Sequence, residues 1–213
     1  MFYLPALLVA AVLVACVVLL AVSEGAEAAF PGKNGRIAYN GEGVIYTINP
    51  DGSGKSKVVN TSESGEPIDY SPDGKRITYP SYEGFNDGNP NGPQKDHEIY
   101  TINVDGTGKF QLTHNNRYDS ESSYSPDGKR VVYTHYDGHD DEIYTINTDG
   151  TGAFQVTNND TNEFFPSYSP DGKKIVYYTG SQLRHPDIYK VNAGGGGKSK
   201  VAEGWTPAWG SRP

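Results

Sequence analysis

Cysteine is almost missing from this sequence: Cys16 stands alone among 213 residues, so no disulfide can form within the chain and stability must come from packing and sheet closure. Positive charge is scarce too. Lys and Arg number 18 against 26 Asp and Glu, a formal net charge of −8, which excludes the basic stripe that a nucleic-acid binder needs to displace counterions. Cationic surfaces, metal ions and neutral polar ligands remain compatible partners. No Gly-x-Ser-x-Gly elbow occurs, and the chain has no room for a separate α/β catalytic domain. Two Gly-Lys-Ser stretches, Gly54-Lys55-Ser56 and Gly197-Lys198-Ser199, imitate a phosphate loop. Asn49 and Asn192 stand where that motif needs an earlier Gly, and each stretch precedes a strand instead of opening a helix. They read as turns.

The one long apolar run, Leu4 to Val22, carries no charge and gives way to Ser23-Glu24-Gly25. Ala26-Glu27-Ala28 fits the small-x-small pattern of a signal-peptidase site, so residues 1–28 are expected to be a cleaved export signal or, uncut, a membrane anchor. No Lys or Arg precedes Lys33, which leaves the usual basic flank unfilled. Leu13-Val14-Ala15-Cys16 has the look of a lipidation box, but the apolar run continues past Cys16. Residues 29–213 form the second expected unit, and the protein is expected outside the cytoplasm: periplasmic, extracellular or bound to the cell envelope.

What the sequence does have is a repeat. Tyr-Ser-Pro-Asp-Gly-Lys occurs at Tyr70–Lys75, Tyr124–Lys129 and Tyr168–Lys173. After each comes a β-rich run such as Arg130-Val131-Val132-Tyr133-Thr134. A variable loop follows, then a strand such as Glu142-Ile143-Tyr144-Thr145-Ile146-Asn147, an Asp-Gly-Thr-Gly-type turn and a last strand, Phe154-Gln155-Val156-Thr157. Pro presets φ, while Asp-Gly supplies a side-chain acceptor and a left-handed position. Aromatic and β-branched residues between the turns suit a pleated surface. Tyr46, Tyr100, Tyr144 and Tyr189 recur at one register and read as packing. Four strands in about 40–45 residues make one propeller blade.

The fold class is therefore all-β: a four-bladed β-propeller with four-stranded antiparallel blades. The first unit begins at Gly35-Arg36-Ile37 without a first strand. The chain ends with Thr206-Pro207-Ala208-Trp209, where Trp209 takes the place of Tyr70, Tyr124 and Tyr168. The C-terminal strand is expected to complete the N-terminal blade, hiding open edges and giving a monomer. The competing arrangement is an open array that needs a second copy to cover its ends.

The Tyr-Ser-Pro-Asp-Gly-Lys and Ile-Tyr-x-Ile-Asn-x-Asp-Gly-Thr-Gly elements resemble the WD40-like repeats of the TolB family of exported propellers, over roughly residues 31–210. The resemblance implies a non-catalytic binding or scaffold protein that meets a protein or cell-envelope glycan. Similar repeats form domains of prolyl-oligopeptidase-type peptidases and pectic-fragment lyases. The alternative that follows is a small carbohydrate-active enzyme, lyase-like toward uronic-acid oligosaccharides, with a metal at the propeller rim.

The two short, nearly identical turns of each unit project from one rim of a meander, and the unlike loops from the other, where function tends to live. The expected contact residues on that variable rim are Asp87, His97, His114, Arg117, His139, Asp140, Asp141, Arg184 and His185. No nucleophile or acid–base pair is fixed by spacing, so no catalytic residue is assigned. Asp87-Gly88-Asn89-Pro90-Asn91-Gly92 followed by Glu98 has the spacing of a calcium loop. Its ligands would be Asp87, Asn89, Asn91, the Pro93 carbonyl and Glu98. A transition metal held by His97, His139 and His185 is the weaker metal reading, because these three occupy different repeat positions.

Overall fold

The computed structural model describes residues 35–61, 67–82, 97–180 and 186–209. The segment 1–28 and most of the calcium-like loop lie outside these residues. Every regular element described is a strand, and no described helix is long and apolar enough to cross a membrane.

The strands form four antiparallel sheets in chain order. The first holds β1 (Ile37–Gly41), β2 (Val44–Ile48) and β3 (Ser56–Asn60). The second holds β4 (Asp69–Tyr70), β5 (Arg76–Tyr82), β6 (His97–Asn103) and β7 (Phe110–Gln111). In the third are β8 (Asp119–Tyr124), β9 (Arg130–Tyr136), β10 (Asp141–Asn147) and β11 (Phe154–Gln155). The fourth has β12 (Glu163–Tyr168), β13 (Lys174–Thr179), β14 (Asp187–Asn192) and β15 (Ser199–Glu203). Each sheet is a meander, and together they are the four blades of an all-β propeller.

The turns explain why the repeats fold alike. In the Ser71–Lys75 turn the Ser71 hydroxyl donates to Asp73 Oδ1 at 2.6 Å, the Lys75 amide donates to the same oxygen at 3.1 Å, and the Arg76 amide donates back to Ser71 Oγ at 2.9 Å. Gly74 sits at φ 68°, a conformation a side chain would strain. The same bonds recur at Ser125/Asp127 and Ser169/Asp171. Arg76 then ties this turn to the next one by donating to Thr101 Oγ1 at 2.5 Å and to the Gly108 carbonyl at 3.2 Å. Arg130 does the same with Thr145 and Gly152. That rim is closed by its own hydrogen bonds.

Between the turns, one tyrosine pair spans two neighbouring strands of every sheet: Tyr39/Tyr46, Tyr79/Tyr100, Tyr133/Tyr144 and Tyr177/Tyr189, with ring centroids 5.5, 5.8, 6.0 and 6.2 Å apart. The recurring tyrosines are packing, as expected. The lysines of the two phosphate-loop imitations are structural as well. Lys55 lies 3.8 Å over the Tyr46 ring, and Lys198 lies 4.8 Å over Tyr189.

Core clusters lie between neighbouring sheets. Ile45, Val58, Ile77 and Tyr79 join the first to the second; Ile99, Leu112, Tyr124 and Val131 join the second to the third; Ile143, Val156, Tyr168 and Ile175 join the third to the fourth. Burying each such side chain contributes about 1.5–3 kcal/mol. No core cluster of described residues joins the fourth sheet to the first.

The first sheet accordingly shows three strands, with β1 at its edge, and the segment up to Trp209 forms no strand pair with β1 among the described residues. The segment stays instead with the blade it leaves: the Trp205 ring meets Tyr178 of β13 edge-on at 5.5 Å.

Candidate functional site

At the rim opposite the closed turns, the junction between the second and third sheets gathers most of the described groups that the sequence singles out. Arg117, on the link from β7 to β8, lays its guanidinium across the β9–β10 loop. A methyl group built on Gly138 would lie 2.5 Å from Arg117 Nη1, and the φ of 107° at Gly138 is one that a side chain would strain. The loop itself is closed by Asp137, whose Oδ1 accepts from the amides of His139 at 2.7 Å and Asp140 at 3.2 Å. Those amides hold the Asp137 carboxyl below its usual pKa. His114, Arg117 and His139 are exposed.

The other assigned residues are less free. Asp140 is buried, and its pKa is raised by burial and by the neighbouring Asp137 carboxylate. Asp141 is half-buried and raised by burial first, then by Asp140; its amide donates to Asn162 Oδ1 at 3.1 Å. His97 departs most from expectation. It is 1% exposed, paired across the sheet with Tyr82, and its ring lies against Tyr82 and Tyr118 at centroid distances of 3.5 and 4.4 Å. An imidazole at the first position of an inner strand packs; it is not displayed. Arg184 and His185 lie outside the described residues, as do Asp87, Asn89, Asn91 and Pro93 of the calcium-like loop. Glu98, assigned to close that loop, is buried, and its Oε1 accepts from the Asn115 amide at 2.6 Å. Among the described residues, no group of three or more His, Cys, Asp or Glu is placed to hold a metal.

Beneath the rim runs a relay that spacing alone did not single out. Glu98 accepts from the Asn115 backbone, Asn115 Nδ2 donates to Asp119 Oδ2 at 2.8 Å, and Asp119 Oδ1 lies 2.5 Å from His135 Nδ1. Asp119 is fully buried, and the contact fixes the imidazole's orientation. The next junction repeats the plan. Glu142 Oε1 accepts from the Asn159 amide at 2.5 Å, Asn159 Nδ2 donates to Glu163 Oε1 at 3.0 Å, and Lys198 Nζ lies 3.0 Å from that same oxygen. Burial, then the Glu163 charge, lifts Glu142 to about 7, against hydrogen bonds from Thr157 and Asn159 that pull it down. The signal was legible in the repeat: Glu and Asn stand 17 residues apart at both junctions, and Asn and the next carboxylate stand 4 apart.

A cleft of about 520 Å³ opens on the opposite rim, between Ser125, Pro126, Arg130, Tyr168 and Pro170. Its cation, Arg130, is already bonded to Thr145 and Gly152, and its walls are repeated turns. The variable rim remains the candidate site.

A profile of the family described as the TolB beta propeller domain matches residues 91–206. A search of curated proteins gave no match. Among solved structures, TolB from Acinetobacter baumannii superposes with a TM-score of 0.63 at 20% identity, over 79% of this chain and 41% of that one. An oligogalacturonate lyase in complex with manganese gives 0.60 at 14% identity, over 79% and 50%. The tricorn protease gives 0.62 at 11%, over 79% and 21%. The chain thus spans half or less of the length of these structures, and at such identities the likeness is one of fold.

Proposed function

Since the chain belongs to the TolB beta propeller domain family, we propose that it is an exported, non-catalytic binding protein that presents its variable rim to a protein or a cell-envelope glycan. Residues 1–28 serve in this reading as the export signal or anchor. The supporting observation is a division of labour at the second–third junction. Arg117 and His139 reach solvent from loops, while the carboxylates beneath them are occupied in holding blades together. A rigid floor under exposed charged loops is the arrangement that repeat scaffolds use for recognition.

The test compares two charge-reversed full-length variants in capturing material from a cell-envelope extract. Arg117→Glu with His139→Glu alters the variable rim, and Lys129→Glu with Lys173→Glu alters the closed rim. The first pair is expected to lower capture at least about tenfold, equivalent to about 1.4 kcal/mol, and the second to leave it near the parent level. Equal capture by both variants overturns the assignment of the rim.

One observation favours the second reading, an enzyme acting on uronic-acid oligosaccharides. His135 is an imidazole oriented by a buried carboxylate at this same rim, the form of a general base. Incubation with oligogalacturonate, followed by ultraviolet absorbance of the unsaturated product, is expected to show no turnover. Turnover that disappears in His135→Gln replaces the binding reading.

A further inference from the structure

Neighbouring blades dock through one repeated contact. The turn glycine before each last strand meets the last strand of the preceding blade. A methyl group built on Gly106 would lie 2.8 Å from the Val58 carbonyl oxygen; on Gly150, 3.5 Å from that of Leu112; on Gly195, 3.6 Å from that of Val156. Val58, Leu112 and Val156 are correspondingly buried, at 7%, 1% and 6% exposure. The contact has two unmatched halves. Val201, at the same repeat position in the fourth blade, is 56% exposed, and Gly52, the equivalent glycine of the first blade, has nothing within 4 Å of such a methyl group.

A second pair of halves lies beside the first. The first strands of the third and fourth blades each carry a non-glycine residue at positive φ three positions before their tyrosine, Glu121 at 54° and Phe165 at 52°. Thr206 stands three positions before Trp209 and has φ 41°. Proline follows both Phe165 and Thr206. Phe165 docks on the preceding blade, where its amide donates to Glu121 Oε2 at 2.6 Å and the neighbouring Thr134 hydroxyl approaches the Glu163 carbonyl at 3.4 Å. Tyr178 holds the repeat position of Thr134, and Trp205 that of Phe164; their rings meet at 5.5 Å. The segment 205–209 therefore leaves the fourth blade already shaped as the first strand of a blade that follows it. Among the described residues the first sheet is the one that lacks such a strand, and Ile37 at its edge is 51% exposed.

We propose that two copies of this chain join end to end, the segment around Trp209 of one supplying the first strand of the first blade of the other while Val201 covers the partner's Gly52 turn. The occupant is a second copy because both halves of both contacts are present on one chain and, among the described residues, do not meet. A head-to-tail contact must either close or propagate. Two copies close it with eight blades, the upper end of the usual range for propellers; three copies exceed that range.

Sedimentation of the full chain measures the state directly. The expected mass is twice the 23.1 kDa of one copy, and Val201→Glu, which places a charge on an exposed side chain at the joint, is expected to return it to one copy. A parent protein sedimenting as one copy at every concentration overturns the proposal. A second measurement separates exchange from closure within one chain. Val201→Cys with Ser53→Cys in a Cys16→Ser background is oxidised and run without reductant. A covalent band at two copies is expected; a cross-linked species that stays at one copy shows the two ends meeting in the same chain and overturns it.

Discussion

Asp119 is held by His135 and Glu163 by Lys198, at two blade junctions that otherwise share the same Glu–Asn–carboxylate plan. The two partners come from different elements. His135 lies on the second strand of its blade, where the fourth blade has Thr179; Lys198 lies in the turn before the last strand, where the third blade has Ala153. Each of these two blades supplies a nitrogen-bearing partner at one of two positions and a residue without one at the other. The carboxylate length follows: the shorter Asp meets the near imidazole, and the longer Glu meets the lysine that reaches along the sheet. The invariant requirement is a buried anion with a donor on each side, since an unpaired buried charge is what costs most.

The largest effect should come from the shared bridge. Asn159→Leu removes the donor between Glu142 and Glu163 and leaves two buried carboxylates facing each other, which is expected to cost about 3–4 kcal/mol in urea unfolding. Loss below about 1 kcal/mol removes the bridge from the plan. His135→Ala strips Asp119 of its imidazole partner and is expected to cost about 2–3 kcal/mol. Adding Ala153→Lys, which moves the solution of the fourth blade into the third, should recover a measurable part. No recovery means the two positions are not interchangeable.

The smallest effect is a pH slope that distinguishes the junctions. The pKa of Glu142 in the folded chain is raised, so the native state binds more protons than the unfolded state between the ordinary value of 4.5 and about 7. Stability contributed there is present below that window and is lost as pH rises through it. Glu142→Gln should flatten the slope and gain about 1–2 kcal/mol above pH 7, discounted for coupling to Glu163. Melting temperatures from pH 5 to 8 give the comparison, and an unchanged slope assigns it to another group.

The sequence made the strands and turns legible because Ser-Pro-Asp-Gly and Asp-Gly-Thr-Gly specify their geometry through bonds that close within a few residues. The rim was legible for the same reason, since a meander fixes which turns share an end. Individual side chains were harder. His97 and Asp140 read as display residues because they border loops, yet one is packed between tyrosines and the other is folded under its loop. Asn115 and Asn159 drew no assignment because Asn is common in loops; their role depends on a partner 17 residues earlier. The ends of the array were hardest, because whether Val201 is covered depends on what stands next to the fourth blade, and local pattern carries no information about that.

The Ser71 hydroxyl, the Asp73 carboxylate and the Arg76 amide complete their turn without help from any other part of the chain. A loop this short closes in about 10–100 ns, so each hairpin can appear as soon as its own residues leave the ribosome. Stacking one finished sheet on the next brings together groups such as Glu121 and Phe165, 44 residues apart, and closure over such distances is slower. Growth of the molecule is then a sequence of quick local events separated by slower docking steps, with its pauses set by the spacing of the repeat.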